Sequence, residues 1–181
     1  MTPVVAVELE FYLLDRERDA RGLPQPPRAP LTGRREYRTQ INSMIDLDEY
    51  SAVLADIDTA CRAQRVPSTT ALAEYGPGQF EVNLLHRANA LQACDEALRF
   101  RRIVKCVARR HGMDATFLSK PYADMAGSGL HVHISLGDRD GRNVFASEDP
   151  LGTPRMQHAA AGMLSTMADG MAIFAPLANA W

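Results

Sequence analysis

Residues 4–14 constrain the fold of this chain most, because they form an almost continuous apolar run that two glutamates interrupt. The β-branched and aromatic side chains of this run predict a largely buried strand. Side chains two apart on a strand share one face, roughly 6.5–7 Å from each other. Glu8 and Glu10 therefore point the same way. An isolated pair of this kind more often faces solvent or pairs with arginines, and otherwise two adjacent like charges need a cation.

Composition limits the possible partners. The 181 residues include 46% hydrophobic side chains and carry a formal net charge of −2, which predicts one globular domain and disfavours nucleic acid and acidic membranes. The chain has neither an apolar run of about 18 residues nor a signal-type N-terminus. We therefore expect a cytoplasmic protein that binds small molecules. The odd number of cysteines, without a CxxC motif, predicts reduced core thiols at Cys61, Cys94 and Cys106.

The rest of the chain alternates between helical and extended patterns. The first half is predicted to contain a proline-rich loop at 16–37, a helix at 47–64 capped by Asp46, and a hairpin at 68–85 with its turn at 75–78. A second helix is predicted from 91 to 108, ending at Gly112, and strands follow at 114–121 and 130–136. The last predicted elements are a turn at 137–141, a segment at 143–145 that pairs back, and a helix from 154 to about 171.

The predicted hairpin contains a second pair of acids. A tight turn at Gly-Pro-Gly brings Glu74 and Glu81 toward each other at the neck of the hairpin and adds two oxygen ligands to those of the first strand. Without Glu8 and Glu10, these two glutamates would be somewhat better explained as ordinary charged strand ends around a turn.

The third constellation follows a glycine-containing loop that includes Gly127. His131, His133 and Ser135 occupy alternate positions of one predicted strand, and the intervening apolar residues are predicted to face the core: Leu130, Val132, Ile134 and Leu136. Two histidines on one face beside a glycine loop favour a metal or phosphate site over a structural role. Four carboxylates with one imidazole suit Mg²⁺ or Mn²⁺, whereas zinc prefers more nitrogen or sulfur.

Together these segments resemble the glutamine synthetase family. VELEFYLLD resembles its opening strand, EYGPGQFEVNL its glutamate-bearing hairpin, and FLSKPYADMAGSGLHVHISL its glycine–histidine signature, in family order. The likeness extends over the whole chain. It implies an α+β fold in which a curved, mostly antiparallel sheet presents the polar residues and helices cover its outer face.

The resemblance also implies roles for particular residues. It implies that Glu10, Glu74 and Glu81 bind the metal nearer the substrate carboxylate, and that Glu8 and His131 bind the metal nearer the nucleotide. It also implies that His133 and Ser135 contact ATP and that the backbone at Gly127 receives glutamate. The family reaction phosphorylates the glutamate side chain with ATP and then lets an amine displace phosphate. Ala126 stands where ammonia-using members usually have asparagine, and PYADMAGSG is more similar to γ-glutamyl-polyamine and related amine ligases. The amine is therefore predicted not to be ammonia.

The resemblance covers only the front part of the family's catalytic domain. We expect the family's N-terminal β-grasp domain before Met1 and the arginine-rich second half after Trp181, and we expect the full-length enzyme to be a homo-oligomeric ring. The 181 residues alone are then expected to bind metal weakly and to lack ligase activity. Two other hypotheses remain at this point: a non-catalytic metal-binding or regulatory fragment of the same fold, and a cupin-like metalloenzyme, whose site would favour iron, nickel or zinc.

Overall fold

The sheet is organised around its longest strand. In the computed structural model, which describes residues 1–178 and 180, all other strands except β2 pair directly with β1. The strands are β1 (Thr2–Asp15), β2 (Ser68–Ala73), β3 (Gln79–Leu84), β4 (Met113–Thr116) and β5 (Leu130–Gly137). The helices are α1 (Met44–Glu49), α2 (Ser51–Ala63), α3 (Ala90–Arg110) and α4 (Pro154–Phe174).

All the strand pairs are antiparallel, as predicted. β3 pairs with residues 8–12 of β1, while β5 and β4 pair with residues 2–9 and 12–15. Because β3 overlaps β5 and β4 along β1, it must lie on the opposite edge of β1 from them. β2 lies outside β3, to which it is joined by the predicted hairpin turn. The open antiparallel sheet and its helices confirm the predicted α+β fold.

The two faces of β1 have different neighbours. Phe11 is fully buried and contacts the rings of Phe80 from β3 and Phe100 from α3. Alternate β1 residues on this face join side chains of α2 and α3 in the main hydrophobic core. The same period-two geometry turns Glu8 and Glu10 to the other face. Burial of the helix-side face therefore fixes which way the carboxylates point.

The first predicted helix is interrupted and begins earlier than its apolar pattern indicated. Ser43, not Asp46, is the N-cap: its hydroxyl accepts a hydrogen bond of 3.2 Å from the Asp46 amide. This corrects the predicted cap, and Asp46 instead lies in the first turn. At Tyr50 the backbone leaves helical geometry and separates α1 from α2.

Other element predictions are confirmed or corrected by the surrounding contacts. α3 ends near Gly112, which has a positive φ of 75°, and Gly137 pairs back with Asn143 as predicted. The strand predicted at 114–121 is wrong after Thr116, because only residues 12–15 of β1 are available to pair with it. α4 begins at Pro154 as predicted and has no buried residue.

The predicted burial of the apolar side of β5 is wrong for most of the strand. Leu130, Val132 and Ile134 are 60%, 53% and 54% exposed, and Leu136 is half-buried. Alternation places these residues on one face, and the described helices leave most of that face exposed to solvent.

The cysteines also differ from the prediction. Cys61 is buried in α2, whereas Cys94 and Cys106 are exposed on the outer side of α3. All three are free thiols. None of the described helices has both the length and the apolar composition that crossing a bilayer requires.

Candidate functional site

Three strands bring three of the five predicted metal-binding residues together. Ligand atoms of Glu8 (β1), Glu81 (β3) and His131 (β5) all lie within 4.8 Å of one another. The register explains this convergence: His131 is directly opposite Glu8, and Glu81 is directly opposite Glu10. Segments separated by up to 123 residues in sequence thus contribute to one small cluster.

Glu10 extends this cluster next to Gly129. A Cβ placed on Gly129 would lie 2.7 Å from Oε1 of Glu10 and 3.1 Å from Nε2 of His131. Only glycine leaves room for both side chains at this point. The backbone amide of Glu10 donates to the Gly129 carbonyl at 3.2 Å, which keeps the glycine loop against the strand.

Glu74 lies at the end of β2, where the turn leaves the sheet. Its backbone amide donates to the Gln79 carbonyl at 2.9 Å, closing the hairpin neck. Burial, followed by the charges of Glu10 and Glu81, raises the pKa of the Glu74 carboxyl. The charges of Glu10 and Glu81 therefore act on Glu74, which is not among the three described residues whose ligand atoms lie within 4.8 Å of one another.

Both histidines of β5 contact one carboxylate of this group. Nδ1 of His131 lies 3.0 Å from Oε2 of Glu8, and Nε2 of His133 lies 2.7 Å from Oε1 of the same carboxylate. The contact with Glu8 raises the pKa of His131, and the hydrogen bond with His131 lowers the pKa of Glu8. The carboxylate of Glu8 thus lies between two imidazoles, whose residues are two apart on β5 and face the same side of the sheet.

His133 and Ser135 are the residues predicted to contact ATP. His133 is opposite Ala6 and Ser135 is opposite Val4, so the two extend away from the acidic group along the same face of β5. The His133 side chain is 53% exposed. Within the described residues the Ser135 hydroxyl has no hydrogen-bond partner. Both groups are accessible to a ligand that lies along this strand.

Gly127 is packed in a way that already requires glycine. A Cβ there would lie 2.8 Å from the Ser119 carbonyl oxygen. The carbonyl of Gly127 accepts a hydrogen bond of 2.9 Å from Nε2 of Gln79. Close packing therefore accounts for the glycine, and its predicted contact with glutamate stays a prediction.

Gln79 is a residue of the site that sequence reasoning missed. It is 2% exposed, and its Nε2 donates to Oε2 of Glu10 at 3.0 Å as well as to Gly127. Its Oε1 accepts from the Gly76 amide at 2.9 Å. One buried amide thereby joins the opening strand, the hairpin turn and the glycine loop. The available signal was its position two residues before Glu81, on the same face of β3.

Tyr12 lies behind the acidic group. It is fully buried, and a Cβ on Gly76 would lie 2.0 Å from its hydroxyl oxygen. Burial, with the charges of Glu10 and Glu74, raises the pKa of Tyr12 far above its ordinary value. The hydroxyl therefore stays protonated and donates to the Ala126 carbonyl at 2.9 Å.

The donor set suits a hard divalent cation. The grouped donors are two carboxylates and one imidazole, those of Glu8, Glu81 and His131, and Glu10 and Glu74 would add further oxygen ligands of the kind that Mg²⁺ and Mn²⁺ prefer. Such a concentration of negative charge is unfavourable without a positive partner. Glu81 lies close to Glu8 and His131 and is also opposite Glu10, and the division of these ligands between two metal sites stays a prediction.

Comparison with known proteins agrees with these features. Residues 1–181 match the family described as glutamine synthetase, catalytic domain. The chain is 48% identical over 179 residues to the γ-glutamylputrescine synthetase PuuA of Escherichia coli (strain K12), covering 99% of this chain and 38% of that protein. It is 32% identical over 178 residues to a glutamate–isopropylamine ligase of a Pseudomonas species, covering 97% of this chain and 38% of that protein.

The fold comparison gives the same result. A solved GmaS/ADP complex superposes with a TM-score of 0.82 at 29% identity, covering 99% of this chain and 40% of that one. The chain thus spans well under half the length of the proteins it matches. From its motifs, its fold and its relatives, the chain belongs to the glutamine synthetase family.

Proposed function

We propose that this chain supplies the metal-holding face of an ATP-dependent ligase that joins the side-chain carboxylate of glutamate to an amine. The observation that supports this most strongly is the meeting of Glu8, Glu81 and His131 within 4.8 Å. Ligand groups from three strands converge there, Glu10 lies directly opposite Glu81, and we propose Glu10 and Glu74 as further ligands.

The proposed reaction explains why so many acids are collected. Mg²⁺ or Mn²⁺, when bound, would neutralise the charge of two anions that must approach each other, ATP and the glutamate carboxylate. Glu10, Glu74 and Glu81 would hold the cation nearer glutamate, and Glu8 and His131 would hold the one nearer the phosphates. His133 and Ser135 orient the nucleotide along β5, and the loop at Gly127 receives glutamate. That a structural relative is an ADP complex supports ATP as the co-substrate.

Phosphorylation makes the carboxylate reactive toward an amine. The terminal phosphoryl group of ATP is transferred to the glutamate side chain, which releases ADP. The amine then attacks the acyl carbon and phosphate leaves with the former carboxylate oxygen, while the nitrogen loses a proton. Phosphate is a far better leaving group than oxide. Preorganised positive charge at this face is the main requirement for the first step.

We further propose that the amine is a polyamine or a related alkylamine and not ammonia. Ala126 provides no side-chain amide where ammonia-using members usually have asparagine. Two relatives named for larger amines, putrescine and isopropylamine, match almost the whole chain. Because members of this family form rings of subunits, we propose that the full-length enzyme is a homo-oligomer. We also propose that it acts in the cytoplasm.

The 181 residues alone are proposed to lack measurable ligase activity. The side chains of His131 and His133 are 60% and 53% exposed, so water screens the charges on which the reaction depends. An enclosed site would make the same charges far more effective.

The direct test measures phosphate release by the longer enzyme that contains this segment, with ATP, glutamate and a panel of amines. We expect putrescine to support release better than ammonia, and Glu81→Gln to abolish it. Glu36→Gln, which alters an acid outside the cluster, should retain activity. Release with ammonia but with no larger amine would contradict the proposed amine.

The same assay separates the remaining alternatives. The family match rules out the cupin-like hypothesis. A non-catalytic metal-binding or regulatory role would appear as tight Mn²⁺ binding without release of phosphate from ATP, whichever amine is added. Release of phosphate by the purified 181-residue chain would contradict the proposed inactivity of the segment.

A further inference from the structure

The glycine loop, residues 126–129, is tied to the sheet through its carbonyl groups. The Ala126 carbonyl accepts a hydrogen bond of 2.9 Å from the Tyr12 hydroxyl of β1. The next carbonyl, that of Gly127, accepts one of 2.9 Å from Nε2 of Gln79 at the start of β3. Donors from two strands thus hold two successive carbonyls of the loop.

The contact with Tyr12 also sets the direction of the Gly127 amide. Peptide units in the described part of the chain are trans, so the carbonyl of Ala126 and the N–H of Gly127, which share one planar unit, point in opposite directions. A carbonyl held by Tyr12 therefore leaves the Gly127 N–H directed away from the Tyr12 hydroxyl. Among the described residues this N–H meets no acceptor, so it is available to a ligand.

The Tyr12 hydroxyl has little freedom to move. The residue is fully buried, and its ring packs edge-on against that of Tyr122, with centroids 5.2 Å apart. A Cβ placed on Gly76 would overlap the hydroxyl, so the hairpin turn also packs directly against it. Because burial raises the pKa of Tyr12 far above its ordinary value, the hydroxyl stays a neutral donor and adds no charge to the acidic group.

We propose that Tyr12 is a positioning residue for the glutamate substrate, which fixes the peptide unit between Ala126 and Gly127 so that the Gly127 N–H is aimed at a carboxylate of glutamate. Tyr12 is buried and its hydroxyl is engaged by the loop, so it acts through the backbone and does not touch the substrate. This inference rests on the proposed function, in which the loop at Gly127 receives glutamate, and deepens it. A donor that is oriented beforehand loses less freedom when the substrate binds.

The test removes the hydroxyl alone, by Tyr12→Phe, in the longer enzyme that contains this segment. The Ala126 carbonyl then has no donor and the peptide unit can rotate, so we expect the KM for glutamate to rise about fivefold. The kcat and the KM for ATP should stay nearly unchanged. Tyr122→Phe is the matched control, because the buried hydroxyl of Tyr122 has no hydrogen-bond partner among the described residues; it should leave the KM for glutamate unchanged.

Two further measurements on the longer enzyme separate this role from a loss of metal binding or of structure. Mn²⁺ affinity should be the same in Tyr12→Phe as in the unmodified enzyme, because the hydroxyl is neutral and is not a ligand. Hydrogen exchange should become faster in Tyr12→Phe only at the glycine loop, where the Ser128 amide donates to the Ser119 carbonyl at 2.8 Å. Weaker Mn²⁺ binding, or faster exchange throughout the sheet, would overturn a role confined to the loop.

An unchanged KM for glutamate in Tyr12→Phe, or an equal rise in Tyr122→Phe, would also overturn the proposal. Failure of the ligase proposal has a different signature, the absence of phosphate release with every amine. In that case calorimetric titration of the longer enzyme with L-glutamate gives the answer without turnover. Binding that is about fivefold weaker in Tyr12→Phe alone would support the proposal, whereas equal affinities, or no binding to the unmodified enzyme, would overturn it.

Discussion

The two strands that flank Glu8 and Glu10 support the site in different ways. On the β3 side, Glu10 is held by Gln79, which is 2% exposed and fixed by three hydrogen bonds. On the β5 side, His131 and His133 are more than half exposed and are fixed mainly by their contacts with Glu8. A buried side chain thus holds the β3 side of the acidic group, whereas contacts between exposed side chains hold the β5 side.

This difference indicates how preorganised each half is. The β3 residues next to the acids, Phe80 and Val82, belong to the main core. The corresponding β5 residues are exposed. Side chains with buried neighbours keep one geometry, whereas exposed pairs gain little from their contact in water. We expect the β3 side to be rigid before metal binds and the β5 side to become ordered on binding.

The largest expected effect concerns the core that backs the β3 side. Phe11→Ala removes a fully buried ring that contacts three other aromatic rings and should lower the free energy of unfolding by about 3–5 kcal/mol. Val132→Ala on β5 should cost less than about 1 kcal/mol, since the side chain is 53% exposed. Urea denaturation of both variants measures the difference. Equal costs would contradict the contrast between the two sides.

A smaller effect is expected at Gln79. Gln79→Glu replaces a donor with a carboxylate oxygen facing Glu10 and the Gly127 carbonyl, so both partners lose their hydrogen bond. We expect Mn²⁺ affinity to fall by about tenfold or more, as for other residues that orient metal ligands. Mn²⁺ electron paramagnetic resonance gives the affinity, and circular dichroism checks the fold. Gln64→Glu, an exposed C-cap of α2, is the control, and an equal loss there would rule out this role of Gln79.

The smallest effect is the pH dependence of metal binding. Because the contact with Glu8 raises the pKa of His131, the metal-free imidazole keeps its proton to a higher pH than usual. A bound cation must displace that proton, so Mn²⁺ affinity should rise with pH and level off above the raised pKa. His131→Asn should bind more weakly and show a flatter pH profile in calorimetric titrations. A steep profile that survives this substitution would assign the proton to another group.

The sequence was sufficient to predict the elements with strong periodicity. Period-two alternation in β1 placed Glu8 and Glu10 on one face, and Gly-Pro-Gly placed the turn between Glu74 and Glu81. These features follow from local geometry, which a short pattern determines. The cap was predicted at Asp46 and not at Ser43 because serine and aspartate are both favoured N-cap residues, and the two lie only three positions apart.

The remaining features depend on contacts that are distant in sequence. Gln79 meets Glu10 and Gly127 across 69 and 48 residues, and no spacing rule relates an amide to such partners. Alternation in β5 showed that Val132 and Ile134 share a face but not which element covers it. The exposure of Cys94 could not be predicted either, because it depends on which side of α3 packs against the sheet.

The most direct test of the proposed metal site is the position of bound Mn²⁺, measured by anomalous diffraction from crystals grown with Mn²⁺ and a non-hydrolysable ATP analogue. We expect anomalous density among the side chains of Glu8, Glu10, Glu74, Glu81 and His131, with the phosphates extending along β5 toward His133. Manganese bound only elsewhere on the protein, or these five side chains left without a cation at saturating Mn²⁺, would contradict the proposed site.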